Sequence, residues 1–551
     1  MYRYDNYDHQ MLADRVAQFR GQTERYLDGE ISDAEFLPLR LQNGLYVQRL
    51  APMLRVAIPY GMLSSVQLRK LAFIAEHFDK GYGHFTTRQN IQFNWPALEE
   101  VPDILEHLAE VEMHGIQTSG NCIRNTTTDQ YAGVTAAEIE DARPWCELIR
   151  QWSTFHPEFA YLPRKFKIAV CGTEYDRAAT QVHDIGVYMI RNNKGDVGFR
   201  VLVGGGMGRT PVIGQEICPF LPKQHLLSYL DAILRVYNRE GRRDNKFKAR
   251  IKILVKETGV DAFREKVEKE WALLKDGPLT LTEEEVKRCK AFFHDPDYKT
   301  LPPESEALRA ALQSDVLFTS WHDQNTAEHK IPGYSIVTIC LKKTGFAPGD
   351  VSAEQMRFIA DLADKYSFGE LRVTHNQNVV LADVEQDSLH ALWQDLKREH
   401  LEADNLGLMA DMICCPGGDF CALANAKSIP IAEAIQRRFS HEELQEIGSL
   451  TLNISGCMNA CGHHHVGNIG ILGVDKKGEE FYQVSLGGRA DNEAAIGKII
   501  GPSFAQEEIP LVIEKIVDVY KQHRNKDEAF VDTYYRIGLA PFKEAVYAKN
   551  H

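Results

Sequence analysis

The stretch HFTTRQNIQFNW, residues 84–95, decides how the rest of the chain is read. VTHNQNVVLADV, residues 373–384, repeats its centre, so that Gln89-Asn90-Ile91 returns as Gln377-Asn378-Val379. The alternation of polar and apolar residues predicts a strand. In the first copy Phe85, Ile91 and Phe93 take one face, and Arg88, Asn90, Gln92 and Asn94 take the other. A solvated outer face explains such a polar row on a lone strand. The repeat argues for more. Each copy follows a helix-like run, SSVQLRKLAFIAEHFDKGYG at 64–83 and SAEQMRFIADLADKYSFGE at 352–370, and later landmarks keep step. Arg88 is followed by Arg124 after 36 residues and Lys165 after 77, while Asn376 is followed by Cys415 after 39 and Cys457 after 81. Glycine turns then arrive in both halves, at Gly204–Gly208 and at Gly487-Gly488. The chain reads as an internally duplicated, mixed α/β protein whose halves face each other about a pseudo-twofold axis across one cleft. Its first copy carries cations where its second carries thiols.

Upstream, residues 1–42 read as charged helices and LYVQRLAPMLRVAIPYG, residues 45–61, as a strand. At 551 residues the chain exceeds what one hydrophobic core can serve, so several domains are expected. With 63 basic and 77 acidic side chains the net charge is −14, which disfavours nonspecific nucleic-acid binding; any anion site must be built locally. The apolar runs fall far short of a bilayer's width and MYRYDNYDHQ lacks a basic-then-apolar leader pattern, so a cytoplasmic protein without membrane insertion is expected.

The 11 cysteines are an odd number in a chain without an export signal, which argues against a disulfide scaffold. Five of them, Cys414, Cys415, Cys421, Cys457 and Cys461, fall in one window. CPGGDFC and CMNAC supply four thiolates from two loops, the number that a [4Fe-4S] cubane takes. A structural zinc also takes four, but its usual paired loops are tighter than the first of these. Inert buried cysteines explain the singletons, not the paired loops. Cys414 is the weaker partner on spacing and is placed outside the set. The glycines at 204–208 do not form a dinucleotide fingerprint, and no flavin or NADPH module is evident.

Taken together, TTRQNIQFN, LPRKFK, CPGGDFC and SGCMNACG resemble the sirohaem and iron-sulfur reductases that reduce sulfite or nitrite by six electrons. The resemblance extends over nearly the whole chain, including RRDNKFKARIKILVKETG and VDTYYRIG. It implies four units: a ferredoxin-like half-domain at 1–145, a cationic sirohaem-domain copy at 146–330, a second ferredoxin-like half-domain at 331–413 and a cluster-bearing copy at 414–551. It implies that Cys415, Cys421, Cys457 and Cys461 hold the [4Fe-4S] cluster, with Cys461 bridging to sirohaem. Arg55, Arg124, Lys165 and Lys167 are implied to bind the anion, and Arg88 to contact the macrocycle, as do Asn90, Gln92, Asn94 and Asn459. Sirohaem carries eight carboxylates, and Arg243, Arg250 and Lys252, the last two alternating, are plausible partners for them. His463, His464 and His465 are read as loop packing and not as ligands.

The activity expected is that of an assimilatory sulfite reductase haemoprotein fed by a ferredoxin or a separate NADPH flavoprotein subunit. Assimilatory nitrite reduction is the alternative, and a non-catalytic iron-sulfur or zinc scaffold a more distant one. Cys122, two residues before Arg124, is expected near the anion site as a small buried thiol, with a cross-link to Tyr46 as the bolder expectation.

Overall fold

The computed structural model describes residues 1–48 and 50–548. Arg49, inside the run read as a strand, and residues 549–551 at the end of the last unit lie outside the described residues. The described residues build four five-stranded sheets, two of one kind and two of another. In one mixed sheet Thr127–Thr128, Ile168–Cys171 and Ile185–Arg191 run parallel, and Val197–Val203 and Gln215–Pro222 close it antiparallel. In the other, Ile413–Cys414, Leu452–Ser455 and Ile469–Lys476 run parallel, and Glu479–Leu486 and Lys498–Ile499 close it. Identical order and sense in both sheets is the duplication in three dimensions.

The other two sheets are antiparallel, and they share strands. Leu45–Val47, Pro52–Val56, Ile91–Phe93 and Tyr82–Phe85 are completed by Asp350–Ser352 from the second half. Thr326–Glu328, Tyr334–Ile339, Val379–Glu385 and Glu370–Val373 are completed by Met62–Ser64 from the first. Each borrowed strand leads straight into a helix, Ser65–Phe78 or Ala353–Tyr366, started by a reciprocal cap in which Ser64 pairs with Gln67 and Ser352 with Gln355. The two helices pack together, and Leu68, Leu71 and Ile74 share one core with Met356, Ile359 and Ala363. Two further cores sit under the mixed sheets, beneath helices Leu226–Glu240 and Ile509–His523. Among the described residues no helix is long and apolar enough to cross a membrane.

The decisive stretch is not one strand. Residues 82–93 form a hairpin, Tyr82–Phe85 antiparallel to Ile91–Phe93, and the repeat does the same with Glu370–Val373 and Val379–Glu385. The polar residues between them make the turn. Thr86 Oγ1 accepts the N–H groups of Arg88 and Asn90, both at 3.3 Å, and Gln89 takes φ of 56°. Thr374 does the same for Asn376 and Asn378, at 3.2 and 2.9 Å, with Gln377 at φ 63°. Arg88 therefore sits on a turn and not in a row with Asn90. The run at 45–61 is likewise two strands, Leu45 opposite Leu54. Arg250 and Lys252 do not alternate on a strand; Arg250 is the N-cap residue of helix Ile251–Thr258 and Lys252 lies in its first turn.

Each turn glutamine is a clamp between the halves. Gln89 Nε2 donates to the carbonyls of Thr128 and Val373, both at 3.0 Å, and its Oε1 accepts the Thr128 N–H at 3.1 Å. Gln377 Nε2 donates to the carbonyls of Cys414 and Phe85, at 3.0 and 2.9 Å, and its Oε1 accepts the Cys414 N–H at 3.0 Å. Gly61 and Gly349, at φ 78° and 84°, press against these glutamines, where a Cβ would meet Gln89 Nε2 at 2.8 Å or Gln377 Nε2 at 2.9 Å.

Candidate active site

The clamps fix a cleft between the halves, a cavity of about 430 Å³ lined by residues of all four sheet regions. One wall is thiol. Cys415 follows strand Ile413–Cys414 and Cys457 follows Leu452–Ser455, at the carboxyl ends of two adjacent parallel strands. Cys421 is carried on the loop after Cys415, where its N–H meets the Gly417 carbonyl at 2.9 Å, and Cys461 on the loop after Cys457. Cys415, Cys421, Cys457 and Cys461 all line the cavity. Among the described residues no three His, Cys, Asp or Glu side chains converge on a single-ion site.

Donors already point at these sulfurs. Cys415 Sγ accepts the Gly456 N–H at 3.2 Å and Cys457 Sγ accepts Asn459 Nδ2 at 3.5 Å, bonds that favour thiolate. Burial pushes Cys415 up to about 12 and pushes Cys421 and Cys457 up as well. A metal cluster would have to displace those protons. Cys414 behaves differently. Its backbone is held by Gln377, its S–H lies 3.3 Å from the Cys415 carbonyl, and its side chain belongs to the core under the second mixed sheet.

The opposite wall is cationic. Lys165 and Lys167 lie in the extended run into strand Ile168–Cys171, with Phe166 bridged to Ile123 between them, and both line the cavity. Arg124 is braced by the carbonyls of Thr118 at 2.7 Å and Gly120 at 2.7 and 3.1 Å. Arg55 donates to Gln92 Oε1 at 2.9 Å. Arg88 reaches Thr127 Oγ1 at 3.1 Å and the Asn125 carbonyl at 2.5 Å. Burial, with Arg124 beside it, lowers Arg88 to about 9. Burial lowers both lysines too; Arg124 and Arg250 add to it at Lys165, and Arg88, Lys165 and Arg250 at Lys167. Among the described residues no carboxylate lines the cavity. Arg55 and Arg88 each keep a buried Nε without a partner, donors that an anionic group would satisfy.

The two walls are not at equivalent places in the repeat. Through the paired clamps Thr128 matches Cys414, so Asp129, not Arg124, stands where Cys415 stands. The cations precede their strands and the thiols follow theirs, which corrects the match read from spacing. Asp129 is already engaged, with Thr173 Oγ1 at 2.9 Å and Arg177 at 2.8 Å.

Several expected contacts lie elsewhere. Asn94 accepts from Gln92 at 3.1 Å, behind the cavity wall. Arg243 is spent on the Tyr161 carbonyl at 3.0 Å and Asn238 Oδ1 at 2.6 Å, outside the cleft. Arg250 grips Asp184 at 2.7 and 2.8 Å. Lys252 Nζ caps the carbonyls of Met207 and Thr210, at 2.6 and 2.5 Å, where helix and glycine loop meet. Asn90, Gln92 and Asn459 do line the cavity. Cys122 does not; its Sγ faces the Ser119 carbonyl at 3.2 Å and burial pushes its thiol up. His463 is buried against His375, Nδ1 to Nε2 at 3.2 Å, and His465 Nε2 meets the Gly208 carbonyl at 3.0 Å. Thr87 was not singled out by sequence. Its hydroxyl donates to the Cys461 carbonyl at 2.8 Å and ties the first hairpin to the thiol wall; only its place in the repeated turn could have signalled it.

Comparison with known proteins agrees with this architecture. Residues 119–274 and 408–551 match the family described as nitrite and sulphite reductase 4Fe-4S domain, and residues 48–111 and 333–399 match the nitrite/sulfite reductase ferredoxin-like half domain. A chloroplastic ferredoxin–nitrite reductase of Arabidopsis thaliana is 30% identical over 519 residues, 89% of this chain and 81% of that one. Sulfite reductase [ferredoxin] 1 of Mycolicibacterium paratuberculosis is 26% identical, across 87% of this chain and 81% of its own. The solved structure of the Mycobacterium tuberculosis NirA protein superposes with a TM-score of 0.77 at 25% identity, covering 93% of this chain and 92% of that one.

Proposed function

This chain belongs to the nitrite and sulphite reductase family, and from that premise we propose that it reduces sulfite to sulfide with electrons from a ferredoxin. The family's sirohaem and [4Fe-4S] cluster are its cofactors, and the residues present fit them. In this reading Cys415, Cys421, Cys457 and Cys461 would hold the cluster, with Cys461 serving both cofactors, and Arg88, Asn90, Gln92 and Asn459 would border the macrocycle. When bound, the two cofactors would pass the donor protein's electrons to the anion.

The protein's part is charge, position and protons. Arg55 and Arg124, braced by Gln92 and by backbone carbonyls, present fixed donors to an oxyanion. Lys165 and Lys167, lowered by burial and crowding, give up protons more readily than ordinary lysines and serve as acids toward departing oxygens. The observation that carries sulfite over nitrite is the excess of cations on the wall formed by Arg55, Arg124, Lys165 and Lys167. Sulfite near neutral pH is partly a dianion and nitrite is a monoanion, so sulfite offsets that excess better. The 30% identity to a protein named as a nitrite reductase favours the second reading, nitrite to ammonia. Steady-state kinetics on both anions, with reduced methyl viologen as electron source, separates them. Sulfite is expected to show the lower KM and to be carried through to sulfide. A lower KM for nitrite, with sulfite reduction stalling short of sulfide, replaces this reading by the second.

A further inference from the structure

Tyr46 stands in the cleft with no part in the reduction as described so far. It lies mid-strand in Leu45–Val47, opposite Met53, so it hangs from the same sheet as Arg55, whose guanidinium carbon is 5.6 Å from the centre of its ring. Its side chain lines the cavity beside Arg55, Arg124 and Lys165. Cations from several elements act on it: Arg40 from helix Asp33–Leu41, Arg55 from the sheet, Arg124 from the loop before Thr127, and Arg164 and Lys165 from the run into Ile168. Burial pushes the phenol up, but Arg124, Arg55 and Lys165 outweigh it and leave Tyr46 below the ordinary phenol range. No other tyrosine among the described residues is shifted downward, and most are raised by burial.

We infer that Tyr46 is a catalytic proton donor to the oxyanion in this cleft. Each oxygen removed takes two electrons and two protons. The Tyr46 O–H bond breaks and its proton passes to an oxygen of the anion. The bond from that oxygen to sulfur, or to nitrogen, breaks as two electrons are delivered from the donor protein. A second proton, from Lys165 or Lys167, lets the oxygen leave as water, and solvent reprotonates the tyrosinate. A phenol suits this step better than a lysine alone. Losing the proton leaves all the cations around Tyr46 charged, and they offset the charge of the tyrosinate. The inference rests on reduction of an oxyanion in this cleft and is the same for sulfite and nitrite.

The test uses the cofactor-loaded enzyme and its Tyr46→Phe variant. Ultraviolet difference titration should show that the first tyrosinate formed as pH rises is absent from the variant, a readout independent of turnover and of substrate choice. The variant's kcat should fall by about 10²-fold, with KM changed by less than about threefold and cofactor content unchanged. In the wild type, kcat should fall as pH rises through the titration of that tyrosine, and this limb should vanish in the variant. An unchanged kcat, a retained limb, or a wild-type tyrosinate that forms only in the ordinary range overturns the inference. If Tyr46→Phe is purified without its cofactors, 3-fluorotyrosine placed at position 46 keeps the hydroxyl and makes it more acidic. The limb must then move to lower pH, and a limb that stays put overturns the inference equally.

Discussion

Lys167→Met isolates what one charge in the anion wall contributes. The backbone at this position holds the fold: the Lys167 N–H donates to Asp184 Oδ2 at 2.9 Å and its carbonyl accepts the Ile185 N–H at 3.2 Å. Both survive the substitution, and methionine fills nearly the same length of apolar stem. The side chain bonds no sulfur, so cluster and haem content should stay at wild-type level. Stability should not fall, because what is removed is a buried cation crowded by Arg88, Lys165 and Arg250. Turnover should fall. Deleting one preorganised donor from such a site typically costs about 10²–10³-fold, and with Arg55, Arg124 and Lys165 still lining the cavity the lower end applies: about 10²-fold in kcat/KM, or about 2.7 kcal/mol of barrier. Lys167→Arg should recover part of the loss. The assay is steady-state sulfite reduction with a chemical reductant, beside iron content and the haem spectrum of the same preparation. Wild-type kcat/KM in a fully loaded Lys167→Met protein would refute the anion role, and loss of haem would reassign the lysine to holding the macrocycle.

Two further outcomes follow from the same geometry. Cys461→Ser should lose cluster and haem together, whereas Cys414→Ser, whose sulfur sits in the core and faces the Cys415 carbonyl, should keep about four iron-bound sulfides per chain and its haem band; cluster loss in the second variant would move the ligand to Cys414. His114, fully buried, is lowered from 6.5 to about 3 by burial and then by Arg150, while its Nδ1 accepts the Ile116 N–H at 3.1 Å. The unfolded chain binds this proton below pH 6.5 and the folded chain does not, so stability is lost as pH falls. The loss is about 2 kcal/mol between pH 6.5 and 5.0. His114→Asn, which keeps an acceptor, should lose correspondingly less in urea unfolding across that interval, and an equal loss in both proteins would show that His114 already titrates in the fold.

The duplication was legible because Gln-Asn followed by a β-branched residue stands at the same turn twice, and the thiol wall because cysteines in paired loops are rare without a metal. The hairpins were not legible. Thr86, Arg88 and Asn90 fall on alternate positions as strand residues would, yet threonine hydroxyls and a left-handed glutamine bend the chain there. Arg243 is engaged away from the cleft for a different cause. A surface arginine has many acceptors within reach, and Tyr161 and Asn238 are nearer than the cleft. Gln89 and Gln377 marked the repeat without disclosing their work, since a clamp on backbone groups some 284 to 292 residues away leaves no local pattern. The borrowed strands, three residues each, are too short to carry a period at all.

Those borrowed strands also set an order of events during synthesis. His84 is made early and the residue that pairs with it, Asp350, 266 residues later, and their side chains then join at 2.7 Å. Until that segment has left the ribosome the first antiparallel sheet ends in an open edge, a template for misplaced pairing. Its counterpart cannot be finished without Met62–Ser64, which must wait unpaired beside it. Thiols and cations can meet only after both exchanges are made, so iron and macrocycle have no complete receptacle on a nascent chain. A cell producing this protein at high rate has to shield that edge for the time it takes to translate the second half, and slow translation there would be expected to show first as insoluble, colourless protein.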